Sequence, residues 1–153
     1  MKFVIQRVSH ASVTVDGTLI SSIEKGFMVL IGVCDADTKE TADKLVKKLL
    51  GLRIFEDADG KTNLALKDVN GQLLLVSQFT LYADCKKGNR LSFTDSAAPD
   101  IAKELYEKYS SLLLENGVRK VENGIFAADM KVSLVNDGPV TIMLDTDIWR
   151  KDK

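Results

Sequence analysis

Polar residues that could do chemistry follow a strongly apolar run in the middle of the chain. The run Gln72 to Phe79 reads Gln-Leu-Leu-Leu-Val-Ser-Gln-Phe and predicts a central strand buried on both faces. Ser77, Gln78 and Thr80 place hydroxyl and amide groups where this strand ends, and backbone N–H groups become free there to face a ligand. The segment is a candidate site, and a strand end with satisfied polar side chains is the alternative.

Gly138-Pro139 is the second candidate, because it interrupts two apolar segments near the end of the chain. Proline removes a donor from a sheet ladder, and glycine permits a close backbone approach that a side chain would block. A tight hairpin with a trans proline is the alternative, and these residues alone leave the isomer open.

Several common catalytic arrangements are absent from the sequence. It contains no Gly-x-Ser-x-Gly elbow, His-Glu-x-x-His motif, Walker loop or Gly-x-Gly-x-x-Gly turn. His10 is the single histidine, and Cys34 and Cys85 lie far apart without a Cys-x-x-Cys motif. We therefore expect no metal and no cofactor, and a catalyst here must use hydroxyls, backbone amides, a carboxylate or groups of its substrate.

Composition indicates a globular protein without a strong charge. The 153 residues are 45% hydrophobic and 28% charged, with 21 Lys and Arg against 22 Asp and Glu. A net charge of -1 argues against a protein that holds nucleic acid mainly by neutralising many phosphates, so any RNA contact should be local. No segment resembles a signal peptide or approaches the roughly 18 apolar residues of a membrane span, which predicts a cytoplasmic protein without membrane contact.

The remaining pattern predicts one α+β domain over residues 1–153, with mainly antiparallel sheet forming a barrel-like core and two main helices. Phe3 to Val15 reads as a strand with a bulge near Ser9-His10, and Asp16-Gly17 as a hairpin turn. The helices are expected at about 38–51 and from Pro99 to Asn116-Gly117. The inner stripe of the second helix is predicted as Ile101, Leu105, Leu112 and Leu113, and a further strand is predicted over 126–135.

Two separated motifs resemble the paired signature of the D-aminoacyl-tRNA deacylase (D-tyrosyl-tRNA(Tyr) deacylase) family. They are Ser77-Gln78-Phe79-Thr80-Leu81 and Asn136-Asp137-Gly138-Pro139-Val140-Thr141. The similarity covers almost the whole chain and includes Arg7 to Val13, Arg53 to Phe55, Lys87 to Arg90 and Gly124 to Met130. One departure is Leu91, where the family commonly has proline.

The resemblance implies hydrolysis of the ester between a D-amino acid and the 3′-terminal adenosine of tRNA. It also implies a homodimer in which Gly138-Pro139, with a cis bond, enters the active site of the neighbouring subunit and rejects L-aminoacyl esters sterically. The carbonyls of Gly138 and Pro139 would face the substrate ammonium group. The identity of the substrate's amino-acid side chain would then have little effect on binding. Glycyl esters, including glycyl-tRNA mischarged on tRNA(Ala), are then further expected substrates.

The same resemblance suggests roles for individual residues. Arg7 would brace the Gly-Pro turn, against the alternative of an exposed charge on a strand. Phe126 and Met130 would line the pocket of the terminal adenosine, against the alternative of ordinary core residues. Thr80 is the family's traditional nucleophile candidate, but a threonine without an activating base is a poor nucleophile. We expect instead that water attacks, assisted by the ribose 2′-OH, while N–H groups near Phe79 and Thr80 stabilise the oxyanion.

Two other classes of function remain open at the level of sequence. One is a non-catalytic nucleic-acid-binding module on the same fold, for which the basic segment Lys86-Lys87-Gly88-Asn89-Arg90 is the supporting feature. The other is an unrelated small-molecule hydrolase, which is disfavoured because the sequence offers no independent catalytic set.

Overall fold

The computed structural model describes residues 1–147 as eight strands, two α-helices and one short 3-10 helix. The strands are β1 (Lys2–Val15), β2 (Thr18–Ile23), β3 (Gly26–Gly32), β4 (Phe55–Glu56), β5 (Thr62–Leu64), β6 (Gln72–Ser77), β7 (Val121–Asn123) and β8 (Lys131–Asp145). The helices are α1 (Lys39–Gly51), the 3-10 helix (Phe79–Tyr82) and α2 (Pro99–Glu115). Residues 148–153 of the expected domain lie outside the described part.

Strand β1 organises the main sheet, because it pairs antiparallel with three other strands. Its first half pairs with β3, its second half with β2, and β8 runs along the other side of both halves. The β1–β2 turn has positive φ at Asp16 (49°) and Gly17 (78°), as a tight hairpin turn requires. The register against β8 shifts between Gln6 and His10, so the predicted irregularity in β1 is confirmed and begins slightly earlier than expected.

The centre of the sheet is parallel, although most of the strand pairs are antiparallel. Strand β6 pairs parallel with both β3 and β7, and Leu73 to Val76 are buried. This is the two-sided burial that the apolar run predicted. The strand ends at Ser77, however, and Phe79 begins the 3-10 helix, so the predicted strand was too long by two residues.

Each helix begins as its sequence indicates. Thr38 caps α1 by accepting a hydrogen bond from the backbone N–H of Thr41, and Pro99 occupies the first turn of α2. In α2 the predicted inner stripe is wrong at Ile101, which is 43% exposed, because the buried face is rotated toward the next residue. That face comprises Ala102, Leu105, Tyr106, Tyr109, Ser110 and Leu113.

The larger of two hydrophobic clusters lies between the helices and one face of a nearly closed, barrel-like sheet. Tyr109 of α2 meets Phe3 of β1 edge-on with ring centroids 4.8 Å apart, and Phe27 stacks on Phe55 at 5.1 Å. The α+β fold with two main helices is therefore confirmed. Within residues 1–147 we find no helix long and apolar enough to cross a membrane.

The strand predicted over 126–135 begins later than the alternation of apolar and polar residues suggested. Phe126 to Met130 form a turn, and β8 starts at Lys131. Phe126, Ala128 and Met130 are nonetheless half-buried while Ala127 and Asp129 are exposed, so the alternation continues without a strand. Positive φ at Ala127 (66°) breaks the extended backbone at this point.

Candidate functional site

A cavity of about 690 Å³ opens beside the end of β6. Three segments form most of its wall: the end of β6 with the start of the 3-10 helix, the turn before β8, and the approach to α2. The lining residues from these segments are Val76, Ser77, Gln78, Phe79, Phe126, Ala127, Ala128, Asp129, Met130, Ser96, Ala97, Ala98, Pro99 and Ala102. The structure thus joins five of the predicted site residues, which are Ser77, Gln78, Phe79, Phe126 and Met130.

Backbone donors become available where β6 changes into the 3-10 helix. Gln78 N–H still donates to Ile31 O at 2.8 Å, and the first donor inside the 3-10 helix is Leu81, which bonds to Gln78 O at 3.2 Å. The N–H groups of Phe79 and Thr80 come between these two donors, at the helix N-terminus, where backbone donors have no partner within the helix. Two neighbouring N–H groups of this kind can donate to the negatively charged oxygen of an oxyanion.

The Thr80 side chain lies at the surface rather than in the cavity wall. Gln78 Nε2 donates a hydrogen bond to Thr80 Oγ1, so the threonine oxygen acts as an acceptor in this contact. The contact joins two predicted site residues, but it supplies no base that would take a proton from the hydroxyl group. The geometry therefore gives Thr80 no sign of activation as a nucleophile.

The turn that carries Phe126 and Met130 is fixed to the central strand. Leu75 O accepts two hydrogen bonds, one from Gly124 N–H at 3.0 Å and one from the Tyr106 hydroxyl at 2.6 Å. Burial raises the pKa of Tyr106 well above its ordinary value, so the phenol stays protonated and keeps donating at neutral pH. A Cβ atom on Gly124 would stand 2.5 Å from Met130 Sδ, so glycine leaves room for that side chain.

Gly138-Pro139 lies in a bulge of β8, not in a hairpin between two strands. Gln6 pairs with Thr141 and Val8 with Asn136, so Arg7 alone stands opposite the four residues 137–140. The Gly138–Pro139 peptide bond is cis, and both residues are exposed. The alternative of a tight hairpin with a trans bond is therefore wrong, and the bond is cis as the family resemblance implied.

Side chains on both strands hold the bulge in place. Asn136 Oδ1 accepts from Val140 N–H at 2.9 Å, and Asn136 Nδ2 donates to Thr141 Oγ1 at 3.1 Å. Arg7 is 8% exposed and donates from Nε to Asp137 O at 2.9 Å and from Nη1 to Ile54 O at 2.6 Å. Arg7 thus braces the bulge, and the alternative of an exposed strand charge is wrong.

The bulge and the cavity do not meet within one chain. The residues of the described chain that line the cavity include neither Gly138 nor Pro139, and Arg7 is also outside this wall. The site residues therefore fall into two groups, one at the end of β6 and one at the bulge of β8. Both groups are ordered by hydrogen bonds to neighbouring strands.

Charged groups are scarce in the cavity wall. Asp129 is the acidic residue among those that line it, and its side chain is 85% exposed and paired with Lys131 at 3.1 Å. His10 is exposed on β1 and does not contribute to the wall. Across residues 1–147 we find no group of three or more His, Cys, Asp or Glu side chains arranged to hold a metal ion. The wall offers an apolar surface with backbone and amide groups at one end.

Known proteins match both the sequence and the fold. The model of the D-Tyr-tRNA(Tyr) deacylase family matches residues 4–145. The chain belongs to this family. D-aminoacyl-tRNA deacylases of Thermotoga petrophila and Thermosipho africanus are each 55% identical over 146 residues, which cover 95% of this chain and 97% of theirs.

Two solved structures share the fold. A protein described as a c-Myc DNA unwinding element binding protein superposes with a TM-score of 0.90 at 40% identity, covering 95% of this chain and 98% of that one. A probable eukaryotic D-amino acid tRNA deacylase superposes with a TM-score of 0.78 at 21% identity, covering 94% of this chain and 98% of that one. The second likeness concerns the fold alone.

Sequence reasoning missed the part of the wall that comes from the long segment before α2. Phe93 and the residues from Ser96 to Pro99 line the cavity of this family member. The available signal was Pro99, since proline is typical of the first turn of a helix and restricts the residue directly before it. Nothing in the local pattern showed that this helix start faces the end of β6.

Proposed function

We propose that the protein hydrolyses the ester bond of D-aminoacyl-tRNA and releases a free D-amino acid and tRNA. The observation that carries this proposal is the family match over residues 4–145, a range that includes Ser77 to Phe79 in the wall of the cavity. A cavity of about 690 Å³ has room for a terminal adenosine with an attached amino acid. The substrate would place the protein in the cytoplasm, where charged tRNA is used.

The reaction needs little from the side chains, because an aminoacyl ester is already reactive. Water attacks the ester carbonyl, assisted by the neighbouring ribose 2′-OH, and forms a tetrahedral oxyanion. The N–H groups of Phe79 and Thr80 are the proposed donors to that oxyanion. The bond between the carbonyl carbon and the ribose oxygen then breaks, and the ribose oxygen takes up the proton that the attacking water released. The products are the amino acid and a free tRNA 3′ end.

Phe126 and Met130 are proposed to contact the terminal adenosine. Both are half-buried in the cavity wall, on the turn that Gly124 joins to Leu75 by a hydrogen bond. The ring of Tyr106 on α2 lies 6.2 Å from the ring of Phe126. An aromatic ring offers a flat surface and a thioether a polarisable one, and a purine packs well against both. No bond to a base edge is needed for such a contact.

Chiral selection is proposed to come from the bulge of a second subunit in a homodimer. Two enantiomers carry the same chemical groups. An active site can therefore distinguish them only through contacts at several fixed positions. Gly138 and Pro139 are exposed and held by Arg7 and Asn136, but they are outside the cavity of their own chain. Inserted into the neighbouring cavity, their carbonyls would accept the substrate ammonium group and leave no space for an L side chain. Glycyl-tRNA, including glycyl-tRNA(Ala), would be accepted because glycine has no side chain to clash.

The activity is tested by incubating the purified protein with matched D- and L-aminoacyl-tRNA and following loss of the ester. Selective loss of the D-ester is expected. Comparable loss of the L-ester would overturn the chiral filter. Glycyl-tRNA(Ala) belongs in the same assay, and the proposal expects its hydrolysis.

The shared site is tested by complementation between two inactive variants. Gly138→Trp disables the bulge, and Ala98→Trp obstructs the cavity, because Ala98 is exposed on its wall. A co-expressed heterodimer carries one site with an intact cavity from one chain and an intact bulge from the other. Recovery of D-esterase activity in the purified heterodimer is expected, whereas a site contained in one chain would give none.

Nucleic-acid binding without catalysis is the second candidate function. The observation that favours it is the relative of 40% identity that is described as a DNA unwinding element binding protein. The exposed basic segment Lys86 to Arg90 is a feature to which a nucleic acid would bind. In the assay above, this function predicts retention of tRNA by the protein with no loss of either ester.

A further inference from the structure

Two exposed aromatic rings stand together at the mouth of the cavity. Phe79 is 55% exposed and Phe93 is 37% exposed, and their ring centroids lie 4.9 Å apart with the planes tilted by 60°. Both residues also line the cavity, so the pair continues its apolar wall outward. Large apolar side chains that meet on a surface mark a site of contact with another molecule more often than isolated ones do.

A basic loop lies shortly before Phe93 in the sequence. The backbones of Asp84 and Ser92 exchange hydrogen bonds of 2.7 and 2.9 Å, which close a loop over residues 85–91. Asp84 Oδ1 also accepts from Lys86 N–H at 2.9 Å, so this carboxylate is turned toward the backbone at the base of the loop. The closed base keeps the loop beside the aromatic pair.

The cations of this loop are available for an outside anion. Lys86, Lys87 and Arg90 are exposed, and the ion pairs found among residues 1–147 involve none of them. The loop itself contains no acidic residue. With a net charge of -1 for the whole chain, this loop is a local concentration of positive charge.

Aromatic rings beside free cations are suited to single-stranded RNA. Bases stack on the rings without regard to sequence, and the cations neutralise the backbone phosphates. We propose that Phe79, Phe93, Lys86, Lys87 and Arg90 form an outer RNA platform, which binds the unpaired nucleotides that precede the terminal adenosine of tRNA. This inference rests on the proposed function, since it places the terminal adenosine in the cavity and the preceding nucleotides outside it.

The platform is tested with one long and one short substrate. D-aminoacyl-tRNA reaches the platform, whereas a D-aminoacyl ester of adenosine fills the cavity alone. The triple variant Lys86→Ala, Lys87→Ala, Arg90→Ala should lower kcat/KM for the tRNA ester about tenfold at low salt and leave hydrolysis of the adenosine ester unchanged. The slope of log kcat/KM against log salt should fall by about 0.7 for each cation removed.

Helix α1 supplies a matched control with the same change of charge. Lys44, Lys47 and Lys48 are also exposed, and their replacement by alanine removes three cations from another surface. This control should hydrolyse the tRNA ester at close to the native rate. Equal losses in the two triple variants would overturn the platform, because the effect would then follow from net charge alone.

The aromatic pair is tested separately through Phe93→Leu, which keeps an apolar side chain but removes the ring. Binding of a short RNA ending in Cyt-Cyt-Ade should weaken several-fold more than binding of adenosine monophosphate, because the RNA loses a stacking surface in addition to the contact of Phe93 with the cavity. Equal weakening for both ligands would place Phe93 in the cavity site only and overturn its part in the platform. Failure of the proposed function looks different, because the native protein would then hydrolyse neither ester.

Discussion

The guanidinium group of Arg7 donates from Nε to the carbonyl oxygen of Asp137 at 2.9 Å, directly beside Gly138. The same group donates from Nη1 to Ile54 O at 2.6 Å, so one buried side chain joins β1, the bulge of β8 and the segment before β4. The planar, five-donor arginine head group can serve two carbonyls in fixed directions. The position of the exposed Gly138-Pro139 segment thus depends on a side chain beneath it.

Replacing Arg7 by lysine should therefore disturb the bulge although the charge is kept. An ammonium group cannot reproduce the fork that reaches Asp137 and Ile54 together. We expect the free energy of unfolding to fall by about 2 kcal/mol and the preference for D- over L-esters to decrease. Urea denaturation and the ester assay measure these effects.

Arg53→Lys is the control for this prediction. Arg53 also donates from Nε to a backbone carbonyl, that of Asn63, at 2.9 Å, but it does so at the exposed surface. Its replacement should change stability by no more than about 0.5 kcal/mol and leave ester preference unaltered. A similar loss of selectivity in both variants would contradict the role given to Arg7.

Gly138→Ala tests the space around the bulge. Gly138 has φ of +134°, and a Cβ atom there would lie 2.7 Å from Arg7 Nη2 and 2.8 Å from Val140 Cγ2. We expect loss of stability and of D-esterase activity, because the side chain would push Arg7 away from its carbonyl partners. Gly88→Ala is the comparison, since Gly88 has φ of +73° with no atom within 4 Å of the added Cβ.

The two glycine variants compare a position that is both strained and crowded with one that is strained alone. Gly88→Ala should cost about 1 kcal/mol from its conformation alone, and Gly138→Ala should cost at least about 1 kcal/mol more. Thermal unfolding at equal protein concentration measures both. If the two variants lose equal stability, the contacts with Arg7 and Val140 do not explain the glycine.

Thr80→Ala distinguishes a hydroxyl nucleophile from backbone stabilisation of the oxyanion. The Thr80 side chain is exposed and outside the cavity wall, whereas its N–H lies at the start of the 3-10 helix and is kept in the variant. We expect the single-turnover rate of D-ester hydrolysis to fall by less than about tenfold, which corresponds to less than about 1.4 kcal/mol of barrier. Abolished hydrolysis with intact binding would instead make Thr80 the nucleophile.

Local sequence patterns predicted the fold well in segments where burial requires apolar residues at a regular spacing. The run 72–79 indicated a strand buried on both faces, and Pro99 and Asn116-Gly117 marked the limits of α2. The same reasoning failed at Ile101, because two adjacent stripes on a helix are both apolar and only packing selects one. It failed again at residues 126–130, where alternation persists through a turn.

The candidate site was predicted only in part, because its two halves are far apart in the sequence. The polar end of β6 was recognisable from its own residues. The bulge at Gly138-Pro139 depends on Arg7, 131 residues earlier, and the pairing of β8 with β1 is a long-range property that no local pattern contains. Phe93 also belongs to the site through its contact with Phe79, which the sequence around Phe93 does not indicate.

Two tyrosines on the same helix allow the support of the cavity wall to be tested. The Tyr106 hydroxyl donates to Leu75 O at 2.6 Å, whereas the buried Tyr109 hydroxyl has no hydrogen-bond partner among the described residues. Tyr106→Phe should therefore lower the free energy of unfolding by about 1 kcal/mol. It should also raise KM for D-aminoacyl-tRNA, because α2, whose Tyr106 ring lies 6.2 Å from the ring of Phe126, loses a hydrogen bond to β6. Tyr109→Phe keeps the ring against Phe3 and removes an unsatisfied polar group, so it should be neutral or stabilising by up to about 1 kcal/mol. Urea denaturation and steady-state kinetics on both variants measure the difference, and a greater loss of stability in Tyr109→Phe than in Tyr106→Phe would show that the hydrogen bond to Leu75 does not support the wall.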